Sequence, residues 1–174
     1  MSTTAPTGTV PLAEPGDGIT IVPIHDNPEA TRIVFEDLGR EYAERYPGSD
    51  HNEIAAHPID EFLPPEGAFL GLYEDGRLLA AGALRLDENG LPEVKRMWTH
   101  SAARRRGLAG RILRALEAVA AERGHSRIVL TTGPNQPEAV RLYTSGGYEG
   151  GFVEPTDAEP MPHYRFSKAL PPRA

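Results

Sequence analysis

The residues with the clearest chemical bent are Arg104-Arg105-Arg106-Gly107-Leu108-Ala109-Gly110. Not one acidic residue occurs between Met97 and Leu116, although the chain carries a formal net charge of −7. Five arginines fall in that window: Arg104, Arg105, Arg106, Arg111 and Arg114. The segment lies between a strand pattern and an amphipathic helix pattern. A small-residue turn that opens a helix presents unpaired backbone N–H groups, and the helix dipole adds positive potential. Gly107, Ala109 and Gly110 let an anion come close to the backbone. The chemistry implied is phosphate binding; the other reading is an Arg-rich surface helix with an ordinary start. Two nucleotide motifs find little support. No Gly-Lys pair exists for a P-loop, and Gly107-x-x-Gly110 does not complete a dinucleotide fingerprint.

The elements that would hold this turn can be read outward from it. Glu93–Thr99 is a strand that leads in. A helix runs from Gly107 to Arg123, with Ala109, Ile112, Leu113, Leu116, Val119 and Ala120 as its apolar stripe. Arg127–Thr131 is the next strand, Pro137–Tyr143 a helix, and Tyr148–Val153 and His163–Leu170 two closing strands. Upstream, Ala68–Tyr73 and Leu78–Leu84 flank Asp75-Gly76, a tight-turn signal for a hairpin. Ile19–Ile24 is a short β-branched strand. Asn27-Pro28-Glu29 opens a helix with a cap, a first-turn proline and an acid. Residues 1–18, rich in Thr, Pro and Gly, read as a tail with no chemistry. The remaining 19–174 read as one domain. The order predicts an α/β (α+β) fold with a mixed, mostly antiparallel sheet of six to seven strands and helices on both faces.

With the order in place, the residues carry a resemblance. Arg104-x-x-Gly107-x-Ala109, preceded by a strand and opening a helix, resembles the acyl-CoA pyrophosphate motif of the GNAT superfamily of N-acyltransferases. Ala139-Val-Arg-Leu-Tyr143-x-x-x-Gly147-Tyr148 is similar to that family's later helix and strand. The resemblance covers 66–153 closely and extends over 19–170. It implies a sheet splayed between the fourth and fifth strands. It implies acetyl-CoA as co-substrate, held by the backbone of Arg105, Arg106, Gly107, Leu108, Ala109 and Gly110. Arg104, Arg105 or Arg111 would meet the 3′-phosphate. The pantetheine arm would lie along the backbone of Met97, Trp98 and Thr99, as an added strand does. Two departures stand out. Arg105 and Ala109 occupy positions where the family often has glycine. Gln136 stands where it commonly has asparagine, with Asn135 just before; either amide is a candidate for the pantetheine.

The catalytic candidates are Tyr143 and Glu93. Tyr143 matches the family tyrosine near the thioester sulfur, where a phenol can donate to the departing thiolate. By helical spacing alone, with Val140 and Leu142, it reads as a core aromatic; the motif match reverses that reading. Glu93 matches a position where some members place a general base. Its other reading is an ion pair with Lys95, two residues along the same face.

The resemblance thus implies an N-acetyltransferase that moves an acetyl group directly to a primary amine of a small molecule or peptide; the alternative is a non-catalytic acyl-CoA-binding module. The acidic loops His57–Glu66 and Val153–Glu159 suggest a cationic amine. His51–Leu63 and the segment around His163 and Tyr164 are candidate walls of the acceptor pocket. A homodimer is a candidate assembly.

Composition narrows the rest. No cysteine is present, so disulfides, thiolate metal sites and a cysteine nucleophile are excluded. The six histidines lack metal-ligand spacing, and no metal is expected. No Gly-x-Ser-x-Gly supports a hydrolase triad. Net negative charge and no interleaved aromatics argue against nucleic acid. No membrane span or signal peptide is legible, so a cytoplasmic protein is expected.

Overall fold

The computed structural model describes residues 16–49 and 53–172. Seven strands form one sheet: β1 (Ile19–Pro23), β2 (Ala68–Glu74), β3 (Arg77–Leu86), β4 (Pro92–Thr99), β5 (Arg127–Thr132), β6 (Glu149–Val153) and β7 (His163–Ala169). Their spatial order is β1-β2-β3-β4-β5-β7-β6. The α-helices of the described residues are α1 (Pro28–Arg45), α2 (Glu53–Ala56), α3 (Leu108–Glu122) and α4 (Pro137–Ser145). The mixed sheet expected from the element order is thus present. The short α2 was not foreseen; four residues carry no readable periodicity.

β1 to β4 form an antiparallel meander. Asp75 and Gly76, both at positive φ, make the β2–β3 turn. Among the described residues the one parallel pair is β4–β5, joined through α3. Its register matches Glu93 with Val129 and Val94 with Leu130, and stops there. The two strands separate beyond Val94, so the splay implied by the resemblance exists.

Two cores sandwich the sheet. On one face α3 buries Ile112, Leu113 and Leu116 against Leu70, Leu72, Leu84 and Val94. Each large side chain fully buried there contributes about 1.5–3 kcal/mol. Gly82 of β3 makes this approach possible. A Cβ on it would lie 2.6 Å from Ile112 Cγ2 and 2.7 Å from Met97 Sδ. On the other face α1 packs Ala30 and Val34 over Phe69, Ala81, Ala83 and Trp98. The Asn27 side chain caps α1 by accepting from the Ala30 amide at 3.1 Å, with Pro28 at the first helical position.

β4 changes phase midway. Its register with β3 slips between Ala81 and Ala83, and Arg96 has φ +58. This is a β-bulge. Lys95 and Arg96 both project towards the α1 face, and Trp98 then joins the core beneath α1. Strict alternation from Val94 would have turned Trp98 to the α3 face.

Candidate active site

The loop from Arg104 to Gly107 begins after a 3-10 turn, Ser101–Ala103. Arg105 (φ +64) and Gly107 (φ +74) are both left-handed, with one residue between them. Such alternation curls successive N–H groups towards one point. Gly107 caps α3 with no side chain, and the first amide of α3 with a backbone acceptor is that of Arg111, which donates to the Gly107 carbonyl at 3.2 Å. The amides of Leu108, Ala109 and Gly110 are therefore available to a ligand. A Cβ built on Gly107 meets no protein atom within 4 Å, so the space above it is open.

The arginines of this window part company. Arg104 and Arg105 line the opening. Arg106 turns away and makes a two-bond fork on Glu74, at 3.0 and 2.6 Å. That fork holds the Glu74 carboxyl below the usual range. Arg111 binds Asp17 at 2.5 Å, and this hydrogen bond lowers the Asp17 pKa. Asp17 also accepts from the Ile19 amide at 3.0 Å, so the last residues of the expected tail are tied to β1. Residues 1–15 and His51 lie outside the described residues.

From the loop a cleft of about 1240 Å³ runs into the splay. β4 forms one wall from Val94 to Thr99, and Thr131–Gln136 forms the other. The edge of β4 that faces β5 has no ladder partner past Val94. Met97, Trp98 and Thr99 thus lie where an extended chain with amide groups could pair. Leu38, Tyr42 and Ile54 also line the cleft, as do Met161 of the β6–β7 loop and His163 at the start of β7.

Tyr143 lies on the cleft and in the core at once. It is 5% exposed, and its ring meets Tyr148 edge-on at 5.9 Å and Phe166 at 6.1 Å. Burial pushes its phenol well above the usual tyrosine range. It therefore stays protonated at any ordinary pH and can donate but not accept a proton. Tyr148 has its own partner, donating to Glu117 at 3.1 Å.

Glu93 stands apart from this group. It is buried beside the last ladder pair of β4 and β5 and is not on the cleft wall. Its carboxylate is held by Arg85 at 2.5 Å and Lys95 at 3.4 Å. Arg85 also grips Glu61 at 2.6 Å, and Glu61 accepts from His57 at 2.9 Å. Burial pushes the Glu61 carboxyl up, but the bonds from His57 and Arg85 outweigh this and hold it low.

Asn135 and Gln136 are on the wall but already engaged. Asn135 Nδ2 donates to the Arg45 carbonyl at 2.9 Å, and the Arg45 guanidinium donates to the Asn135 carbonyl at 3.0 Å. The Asn135 amide donates to Tyr46 Oη at 3.2 Å, and Gln136 Nε2 reaches it at 3.5 Å. Arg45 also pairs with Glu138. The end of α1 is thereby bonded to the β5–α4 loop across the opening. Sequence reasoning missed Arg45 and Tyr46; they are about ninety residues from their partners, and nothing local marks them.

Among the described residues no group of three or more acids or histidines could hold a metal ion, and no helix is long and apolar enough to cross a membrane.

Comparison with known proteins agrees with the splayed fold. The acetyltransferase (GNAT) family model matches residues 32–148, and the chain belongs to that family. It is 28% identical over 135 residues to an IAA acetyltransferase of Azospirillum brasilense, covering 76% of this chain and 86% of that one. A solved Klebsiella pneumoniae structure described as an acyl-CoA N-acyltransferase superposes with a TM-score of 0.68 at 25% identity, over 89% of this chain and 99% of the other. An aminoglycoside 6′-N-acetyltransferase complexed with coenzyme A shares the fold at a TM-score of 0.67 and 17% identity, over 89% and 99% of the two chains.

Proposed function

We propose that this protein is an acetyl-CoA-dependent N-acetyltransferase acting on a primary amine. The observation that carries the reading is one continuous cleft. It joins open N–H groups at the start of α3 to the unpaired edge of β4 and to Tyr143. The family membership and the coenzyme A complex of a fold neighbour support it.

The residues fit the co-substrate by parts. The amides of Leu108, Ala109 and Gly110, with the open space over Gly107, suit a pyrophosphate. Arg104 and Arg105 suit a further phosphate. The β4 edge at Met97–Thr99 suits the amide-bearing arm. For Asn135 to serve that arm, its side-chain amide must exchange the Arg45 carbonyl for it.

The co-substrate supplies an acetyl thioester. The chain sets the amine beside it, which alone accounts for much of the rate. The amine nitrogen bonds to the carbonyl carbon, the carbon–sulfur bond breaks, and the sulfur receives a proton or hydrogen bond from Tyr143. Because Glu93 is shared by Arg85 and Lys95, its proposed part is that of an ion-pair partner. The proton lost by the amine then passes through water in the cleft and restores any proton that Tyr143 has given to sulfur.

Calorimetry with acetyl-CoA, followed by thiol release with a panel of amines, tests the reading. Micromolar binding that weakens with added salt, and amine-dependent thiol release, are expected. Binding without thiol release would leave an acyl-CoA-binding module. No heat with folded protein at low salt would end both.

A further inference from the structure

The acidic loops of the sequence point to a cationic acceptor, but their cleft-side carboxylates are engaged. Three acids line the cleft: Glu41, Glu138 and Glu159. Glu41 is bound to Arg45 at 2.8 Å, Glu138 pairs with the same Arg45, and Glu159 is bound to Arg165 at 2.8 Å. Glu61, from the other acidic loop, is held by Arg85 and His57. Each lining carboxylate is matched by an arginine, so the cleft walls hold no surplus of negative charge to draw a polyamine in.

Cations outnumber acids on the same walls. Arg45, Lys95, Arg96, Arg104, Arg105 and Arg165 all line the cleft, in a chain whose net charge is −7. Arg104 and Arg105 belong to the phosphate end. Of the others, register sets two across the opening from each other. Val94 pairs with Leu130, so Lys95 falls level with Thr131, and Arg165 is the β7 partner of Thr131. Val94 and Leu130 are core on the α3 side. Lys95, Thr131 and Arg165 therefore all project from the α1 face. Lys95 stands on one side of the splay, and the Thr131 hydroxyl and Arg165 on the other. The nearby surface is apolar: Leu38, Tyr42, Ile54 and Met161.

We infer that the acceptor is an amine carrying a carboxylate and an apolar body, an α-amino acid or close derivative, whose carboxylate is received by Arg165 and Lys95. The inference rests on the acetyl transfer proposed above and names its acceptor class. Arg165 offers a planar fork that suits a carboxylate. Its pair with Glu159 is exposed (Arg165 side chain 55%), so the guanidinium can exchange that partner for a substrate at little cost. Lys95 is 10% exposed in its side chain, beside Glu93, so its charge acts through a poorly hydrated medium. The same pairing favours the reaction. A carboxylate engaged by a guanidinium no longer stabilises the ammonium beside it, so the amine sheds its proton to water more readily. The nitrogen then takes the acetyl group, and the products are an N-acetyl amino acid and the free thiol.

The test compares phenylalanine and leucine with their carboxamides and with spermidine. Thiol release from acetyl-CoA is the readout, after calorimetry has established that acetyl-CoA binds. The carboxamide is chosen because its amine is the less basic, and it would be the faster substrate if the carboxylate were irrelevant. The free acids should exceed their amides at least tenfold in kcat/KM, and spermidine should fall below both. In Arg165→Gln, with an unchanged melting curve, the acid-to-amide ratio should drop to within about threefold of one. Lys95→Met gives a second reading of that ratio. The inference fails if amides or spermidine equal the acids, or if Arg165→Gln keeps the ratio. It also fails if a protein that binds acetyl-CoA turns over neither amino acid, and the transferase reading would survive that result. Absence of acetyl-CoA binding would remove the transferase reading and this inference together.

Discussion

β2 and β3 face each other through seven registered pairs, from Ala68–Leu84 to Glu74–Arg77. β4 and β5 share two. The closed half of the sheet is where α3 and α1 bury their cores, and its three strand pairs run as antiparallel ladders interrupted at two register shifts. In the open half the ladder is given up over the outer part of β4. An unpaired backbone group hidden from water is costly, so such an edge persists only where solvent or a ligand reaches it. The contrast divides the labour. Stability should respond to changes in the closed half and ligand binding to changes in the open half. Tyr143 belongs to both.

The sharpest test is therefore at Tyr143. Tyr143→Phe keeps the ring that packs on Tyr148 and Phe166 and removes only the hydroxyl. A proton donor lost from the reacting centre costs about 10²–10⁴-fold in kcat, with KM and melting temperature little changed. An undiminished kcat would assign this residue to the closed half alone. Wild-type kcat should also show no inflection near pH 10, the ordinary tyrosine value of ~10, because burial raises this phenol above it.

Leu116→Ala should show the opposite pattern. Leu116 is fully buried between α3 and the sheet. Truncation there costs about 2–5 kcal/mol of stability, read by denaturant melts. The affinity of the folded fraction for acetyl-CoA should hold.

Gly107→Val probes the open half. Its side chain would occupy the empty space above the loop, at a φ that a branched residue resists. Acetyl-CoA affinity should fall at least tenfold by calorimetry, for about 1–2 kcal/mol of lost stability from the backbone. Unaltered affinity would move the phosphate site elsewhere.

The smallest effect concerns Glu61, which ties the turn before β2 to Arg85. Against the upward push of burial, its folded pKa lies below the ordinary glutamate value of about 4.5, because His57 and Arg85 bond its carboxylate. Its stabilising contribution is thus complete above about pH 4.5 and disappears as pH falls through the folded value. Glu61→Gln should flatten the acid limb of the melting curve and leave neutral pH stability within about 1 kcal/mol.

Much of the closed half could be read from the chain, because its signals are local. The Asp75-Gly76 turn fixed the hairpin. The 3.6-residue stripe from Ile112 to Ala120 fixed α3, and the Arg104–Gly110 composition marked the loop. The open half was less legible. The bulge at Arg96 has no residue signature; Lys95 and Arg96 simply continue a polar pair, and alternation then assigns Trp98 to the wrong face. Which arginines remain for a ligand is decided by partners far away, Glu74 for Arg106 and Asp17 for Arg111. Which carboxylates of the acidic loops are matched by an arginine is likewise set by pairing with Arg85 and Arg165, across separate elements or a turn outside any periodic pattern.

A bare strand edge is ordinarily a hazard, since another chain can add itself there and begin a fibril. The unpaired stretch of β4 escapes that fate by its address. It is recessed within the sheet, with β5 in front, α3 below and the end of α1 bonded to Asn135 above. A neighbouring protein's strand, flanked by its own hairpin partner, is too wide to enter. Only a slender, single extended chain fits, so the splay keeps a sticky seam out of reach of other copies at crowded concentrations.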